Sequence, residues 1–332
     1  MEDNLLEIRT DETNPISSYE LIKKDFGASV DGNHLRLEND KYGKLDMIYY
    51  EYFPKLICGV TNLKLNVPIR ILNSTEKKEK YVSIRIGNSG DFTSETKKKS
   101  TFMNSLYVYN SNQEFYIDYP VDQSIRWYYL RIPVHLMDKF IYLPNDALNE
   151  LIHKDEAWFY YDSLTPDLDK IISELDFFIQ DPVMQKGILF SKMIEVLNIL
   201  QKRSHENGLE NVVYGVHKND LNLVFRLKDD ILSNLNEVPD LKVLVKKYGM
   251  SESKLQKTFK KVYKKPILQF FNHHRLEEAQ RQVIQTEKDL SQISFELGFT
   301  DLTHFSKRYF SKFGERPSVT RKKSVDNPLT FK

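Results

Sequence analysis

The last hundred residues of the chain contain one supersecondary unit twice. Leu241, Leu244 and Gly249 recur as Leu290, Ile293 and Gly298, each 49 residues on, and Leu255, Lys257 and Phe259 recur as Phe305, Lys307 and Tyr309, each 50 on. The second copy therefore has one extra residue in its turn. A repeat of this length makes the region two copies of the same helical supersecondary unit. In the first copy a short amphipathic helix over Asp240–Tyr248 ends at Gly249, which is suited to a left-handed C-cap. Ser251 then caps SESKLQKTFKKVY. Leu255, Phe259 and Val262 line one face of that helix. Ser253, Gln256, Lys257 and Lys260 line the other, at i, i+3, i+4 and i+7. In the second copy Asp289 and Gln292 have the spacing of a capping box, Gly298 ends the first helix, and LTHFSKRYF follows. There Thr303, Ser306 and Lys307 stand opposite Phe305 and Tyr309.

A helix with an apolar stripe on one side and hydrogen-bond donors on the other suits a DNA major groove. Lysine can donate to guanine and glutamine to adenine. The segment PILQFFNHHRLEEAQRQVIQ joins the copies, with Pro266 suited to a first helical position. As a helix of about 19 residues it spans about 28 Å. Successive major-groove faces lie roughly 34 Å apart. Charge points the same way. Arg226 to Lys323 carries 21 Lys and Arg against 12 Asp and Glu, a net of +9, whereas residues 1–225 carry 26 against 34, a net of −8. A basic module on an acidic one fits a polyanion-binding end attached to something else.

The stretches GMSESKLQKTFKKVY, RLEEAQ and ISFELGFTDLTHFSKRYFSKFGERPSVTR resemble the AraC/XylS family of transcription regulators. The specific signature is GF-x-D-x-x-x-FS followed by Lys or Arg, then FG-x-x-P. The resemblance implies base contacts from Ser253, Gln256 and Lys257 in the first unit and from Thr303, Ser306 and Lys307 in the second. It also implies phosphate contacts from Lys260, Lys261 and Arg308. Five positions depart from the family pattern. Lys264 replaces the usual Gly after the first recognition helix, Val245 and Ser294 replace Ala, Thr320 replaces Tyr before Arg321, and Lys307 replaces the commoner Arg.

Residues 1–133 alternate as strands do. The candidates are His34–Glu38, Leu45–Tyr52, Leu63–Leu72, Lys80–Gly87, Ser105–Asn110, Glu114–Tyr119 and Ser124–Ile132. Strands so spaced suggest an antiparallel barrel or sandwich, and the resemblance implies a cupin-like barrel followed by dimerising helices. The expected fold is α+β, with an all-α double helix-turn-helix domain at the C-terminus. The expected divisions are a β-rich sensor domain at 1–165, a dimerising helical hairpin at 166–204, a linker at 205–219 and the DNA-binding domain at 220–323. After Pro133, VHLMDKFI and NDALNELIHK read as short helices. Leu168, Ile171, Ile172, Leu175, Phe178 and Ile179 make one helical stripe, and Ile188, Leu189, Met193, Val196, Leu197 and Leu200 a second. The second stripe either covers the β-rich part or packs against a second subunit.

Tyr107, Tyr109, Trp127 and Arg85, with Tyr116, Tyr129 and Arg126, either line a small-ligand pocket or belong to ordinary core and ion pairs. His34 and His135 lack the clustering of a metal cupin, so no metal and no cofactor is expected. The single cysteine, Cys58, lies in the apolar run LICGV and excludes an intramolecular disulfide. Lys77-Lys78 and Lys97-Lys98-Lys99 read as solubilising hairpin tips. The opening MEDNLLEIRTDETNP does not read as a signal peptide, and no run approaches the roughly 18 apolar residues of a membrane helix. A cytoplasmic, non-enzymatic regulator of transcription is expected. Its expected partners are double-stranded DNA, a second copy through 166–204, RNA polymerase and a small-molecule effector. The alternatives are a constitutive DNA-binding protein whose N-terminal half is only a dimerisation scaffold, and an enzyme fused to the DNA-binding module, such as a DNA-repair methyl acceptor, for which Cys58 is the one available thiol.

Overall fold

A computed structural model describes residues 5–11, 14–74, 79–90, 99–119, 121–142, 147–209 and 211–326. Two compact units emerge. One comprises 1–164 with 171–226, the other 165–170 with 227–332. Lys77, Lys78, Lys97 and Lys98 lie outside the described residues, as does the side chain of Lys99.

In the first unit Asn14 caps helix α1 (Pro15–Phe26), which follows strand β1 (Leu6–Asp11) and ends at the left-handed Gly27. Tyr19 and Ile22 of α1 bury against Leu35 and Leu37. The strand-like reading of residues 1–133 missed this helix. Strands β2 (Ser29–Asp31), β3 (His34–Asn39), β4 (Gly43–Phe53) and β5 (Leu56–Leu65) come next. Then follow β6 (Ile69–Ser74), β7 (Tyr81–Gly90), β8 (Lys99–Asn110), β9 (Phe115–Tyr119) and β10 (Ser124–Pro133). A 3-10 turn (Val134–Lys139) and α2 (Ala147–Ile152) precede β11 (Trp158–Ser163). Helices α3 (Pro166–Phe178) and α4 (Pro182–Asn207) lead to β12 (Val212–Tyr214), inside the segment read as a linker, and α5 (Lys218–Leu232).

Nine strands form one sheet in the order β12-β11-β8-β7-β10-β5-β4-β3-β2, antiparallel throughout, and β1-β6-β9 form a second. The stretch Leu63–Leu72, read as one strand, divides between them. Pro68 has no N–H for a ladder, Asn66 N–H donates to Tyr42 O, and the chain changes sheets at that point. The nine-stranded order is linear. Among the described residues no ladder joins β12 to β2, so the cupin-like closed barrel is not found, although the β-rich N-terminal part of an α+β chain is.

The α4 stripe belongs to the interior of its own unit. Leu189, Met193, Val196, Leu197 and Leu200 are buried within the single chain. Tyr52 stacks on Phe190 at 4.5 Å, and the Tyr50 hydroxyl donates to Gln185 Oε1 at 2.6 Å. Within its own unit this stripe therefore covers the sheet. Arg126 pairs with Asp176 of α3 at 2.8 Å and also bonds Asn62, settling it as a buried ion pair. Cys58 is fully buried, and burial pushes its thiol up, away from the partly exposed setting of a reactive cysteine. No helix among the described residues is long and apolar enough to cross a membrane.

The second unit contains α6 (Leu241–Tyr248), α7 (Glu252–Tyr263), α8 (Ile267–Gln285), α9 (Leu290–Glu296), α10 (Leu302–Phe313) and α11 (Pro317–Asp326). Its core is the two stripes read from the repeat, closed over α8. Leu255, Phe259, Phe270, Phe271, Ile293, Phe305 and Tyr309 are all buried. Phe259 meets Phe270 edge-on at 5.1 Å, and Phe299 meets Phe305 at 5.1 Å.

Candidate nucleic-acid interface

Each recognition helix is set by local chemistry. Asp240 caps α6 by accepting from Lys242 N–H at 2.8 Å, and Gly249 ends it at φ 60°. Ser251 caps α7 by accepting from Lys254 N–H at 3.3 Å. Burying Leu255, Phe259, Val262 and Tyr263 turns Ser253, Lys257, Lys260 and Lys261 to solvent. Gln256 is half-buried, and its Oε1 accepts from Ile267 N–H at 3.2 Å. It therefore satisfies an orphan donor at the start of α8, a structural tie that helical spacing alone does not reveal. Pro266 stands at the cap of α8, one residue before the first helical position.

In the second unit the expected capping box does not form. Asp289 stands at the cap without a side-chain bond, and Gln292 instead donates to Glu296 Oε1 at 2.8 Å. The α9 C-terminus is held from outside: Asn236 Nδ2 donates to Phe295 O at 3.2 Å and to Glu296 O at 3.0 Å. Gly298 follows at φ 67°. Asp301 caps α10, accepting from His304 N–H at 2.7 Å. Phe305 and Tyr309 face the core, Thr303, His304, Lys307 and Arg308 face solvent, and Ser306 is half-buried.

Both recognition helices end at corresponding left-handed residues, Lys264 (φ 58°) and Gly314 (φ 73°), whose N–H groups donate to Lys260 O and Phe310 O. The departure at Lys264 is thus accommodated without altering the turn. A non-glycine residue there carries a conformational cost of about 1–2 kcal/mol.

Besides Asn236, two residues that sequence reading did not single out brace the second unit. Arg275 lies over Phe271 at 4.5 Å and Phe299 at 5.2 Å, and donates to Gly298 O at 3.4 Å. Lys312 donates to His273 O at 2.7 Å and pairs with Glu277 at 3.4 Å. Burial pushes the Lys312 ammonium down to about 8 against the pull of Glu277. Burial pushes the His274 imidazole down to about 3. Burial alone would raise Glu277, but His273, His274 and Lys312 together hold its carboxyl well below the usual range.

The effector candidates lie in the other unit and are packed among rings. Tyr109, Tyr107 and Trp127 are buried. Arg85 Nε donates to the Tyr109 hydroxyl at 2.9 Å. Tyr107 meets Trp127 at 5.6 Å, Phe159 at 5.6 Å and Phe225 at 5.3 Å. Among the described residues no cluster of three or more His, Cys, Asp or Glu side chains is placed to hold a metal ion.

Residues 244–323 match the family model described as a helix-turn-helix domain. No curated protein matches the chain. Solved structures similar to it include a transcriptional regulator with an AraC-type DNA-binding domain from Chromobacterium violaceum. It is 25% identical over 32% of this chain and 91% of its own, with a TM-score of 0.29. A probable AraC family transcriptional regulator from Rhodopseudomonas palustris is 25% identical over 31% and 97%, with a TM-score of 0.29. The DNA-binding domain of the global transcriptional factor AdpA, solved with a target DNA, is 18% identical over 33% and 96%, with a TM-score of 0.29. The capped recognition helices, their two exposed polar faces and the matched model lead to one conclusion: residues 244–323 of this chain form a helix-turn-helix domain in two copies.

Proposed function

We propose that one chain reads two successive major grooves, α7 in one and α10 in the next. Ser253, Lys257, Thr303, Lys307 and the partly covered Gln256 and Ser306 contact bases, and Lys260, Lys261 and Arg308 contact phosphates. The observation that carries this reading is the pair of exposed polar faces on equivalent helices, joined by the 19-residue α8. At about 1.5 Å per residue that helix spans roughly 28 Å, commensurate with one turn of B-DNA. The test is binding of the full chain to duplexes selected from a random pool, against scrambled controls, from 50 to 200 mM salt. A selected sequence retains preference as overall affinity falls. Equal binding to scrambled DNA at every salt concentration contradicts the reading.

In this proposal the β-rich unit receives a signal, a small ligand or a partner such as RNA polymerase, and shifts the population of DNA-competent arrangements. Pairing with a second copy uses the outward ends of α3 and α4, where Phe177 is 74% and Val183 88% exposed, in place of the buried α4 stripe. The close ring packing around Tyr107, Tyr109 and Trp127 favours a second reading for that place: a rigid scaffold in a constitutive DNA-binding protein. A thermal-shift screen of small metabolites separates the two. A stabilising ligand supports the sensor, and uniform indifference supports the scaffold.

A further inference from the structure

The α10 recognition face carries one residue that neither phosphate contact nor base hydrogen bonding explains. Phe310 is 54% exposed, whereas Phe305 and Tyr309 on the same helix are fully buried. It stands seven residues after Thr303, four after Ser306 and three after Lys307. Those spacings put all four side chains on one side of the helix over two turns. A helix lying along a groove presents this set of positions to successive bases. The corresponding position of the first unit, 50 residues earlier, is Lys260, also exposed. The two recognition helices thus share a lysine at 257 and 307 but differ here, a cation in one and a bare aromatic ring in the other.

We infer that Phe310 is a specificity-determining residue that selects a thymine by packing on its C5-methyl group. This rests on the proposed placement of α10 in the major groove. A benzyl side chain can neither neutralise a phosphate nor accept or donate a hydrogen bond. The base edge of the major groove offers one apolar group, the thymine methyl. Against any other base the ring covers a polar edge without partnering it, which costs free energy. Along the helix Phe310 lies about 10.5 Å from Thr303. At roughly 3.4 Å per base step that is about three base pairs. The thymine is therefore displaced by about three pairs from the base that Thr303 addresses, and the first unit makes no matching demand because Lys260 stands there.

The test uses the full chain and a duplex selected from a random pool. Each thymine of the bound site is replaced singly by uracil, which removes only the methyl group. In the half-site assigned to α10, one such replacement is expected to weaken wild-type binding about three- to tenfold. The same replacement changes the binding of Phe310→Ala less than about twofold. At that pair 5-methylcytosine is expected to be bound better than cytosine by the wild type alone. Phe310→Lys loses the methyl dependence and steepens the salt dependence by about one phosphate contact. Absence of any methyl-sensitive thymine in wild type overturns the inference, as does an equal sensitivity surviving in Phe310→Ala. Thr303→Ala and Lys307→Ala, run on the same duplex, separate the two levels. If they weaken specific binding while uracil has no effect, only the role of Phe310 fails. If neither matters, the placement of α10 fails with it.

Discussion

The two helix-turn-helix units are copies in outline but differ in how firmly their turns are held. At Gly249, the turn of the first unit, a Cβ would meet open space. At Gly298, the turn of the second, a Cβ would lie 1.7 Å from the backbone oxygen of Asn236. Around that second turn Asn236 holds the α9 carbonyls, Arg275 holds Gly298 O, and Lys312 ties α10 back to α8. In the first unit Gln256 ties α7 to the start of α8, and α7 leaves through a lysine in the left-handed region. The two copies therefore share the core stripes and the capped starts of the recognition helices, while the second recognition helix is braced by residues distant in sequence. The second unit is the fixed reference of the module, and the first sits on a more open turn.

The sharpest way to break this comparison is to add one methyl group at each turn. Gly298→Ala forces Asn236 away and strains a backbone at φ 67°, and is expected to cost about 3 kcal/mol or more. Gly249→Ala meets only the backbone strain, about 1–2 kcal/mol. Melting followed by helical ellipticity checks this, and equal losses would show that the bracing contributes nothing. Acid probes the same bracing. His274 faces Glu277, His273, Lys312 and Lys228, and its folded value of about 3 lies below its ordinary 6.5. Between those values the unfolded chain takes up a proton that the folded chain refuses, so stability falls as pH drops from 6.5 toward 3. Glu277, also held low, acts in the same direction once pH falls below its ordinary 4.5. The helical unit is expected to lose on the order of a few kcal/mol between pH 7 and pH 4. The loss should be smaller in His274→Gln, and a flat melting profile would contradict the assignment.

Lys257→Ala and Lys307→Ala each are expected to weaken specific DNA binding by about 1–3 kcal/mol, more at one base position than elsewhere. Uniform losses on all sequences would make both lysines phosphate contacts. The smallest effect is expected at the exit turn. Lys264→Gly relieves a left-handed lysine and should stabilise the unit by about 1 kcal/mol, whereas Gly314→Ala should destabilise by a similar amount. Denaturation midpoints read both.

What was legible in the sequence follows this division. The repeat, the recognition stripes, the Ser251 cap and the glycine turns depend on residues a few positions apart, and helical period exposes them. The bracing does not, because Asn236, Arg275 and Lys312 reach partners 60, 23 and 39 residues away. The Asp289–Gln292 capping box had the right spacing, but Glu296 captured the glutamine. In the β-rich unit alternation located most strands, yet it ran through Pro68, where the chain changes sheets, and overlooked α1, which buries only Ser18, Tyr19 and Ile22. The apolar stripe of α4 was visible from its period. Which surface it covers was not, since that depends on the distant strands β5 and β10.

The central claim is that α7 and α10 of one chain engage two grooves one helical turn apart. Hydroxyl-radical footprinting on a selected duplex tests it most directly, with and without five base pairs inserted between the two protected patches. The account predicts two patches on one face, centred about 10 base pairs apart, and loss of one patch when the half-turn insertion rotates it away. Two patches that survive the insertion unchanged would contradict it.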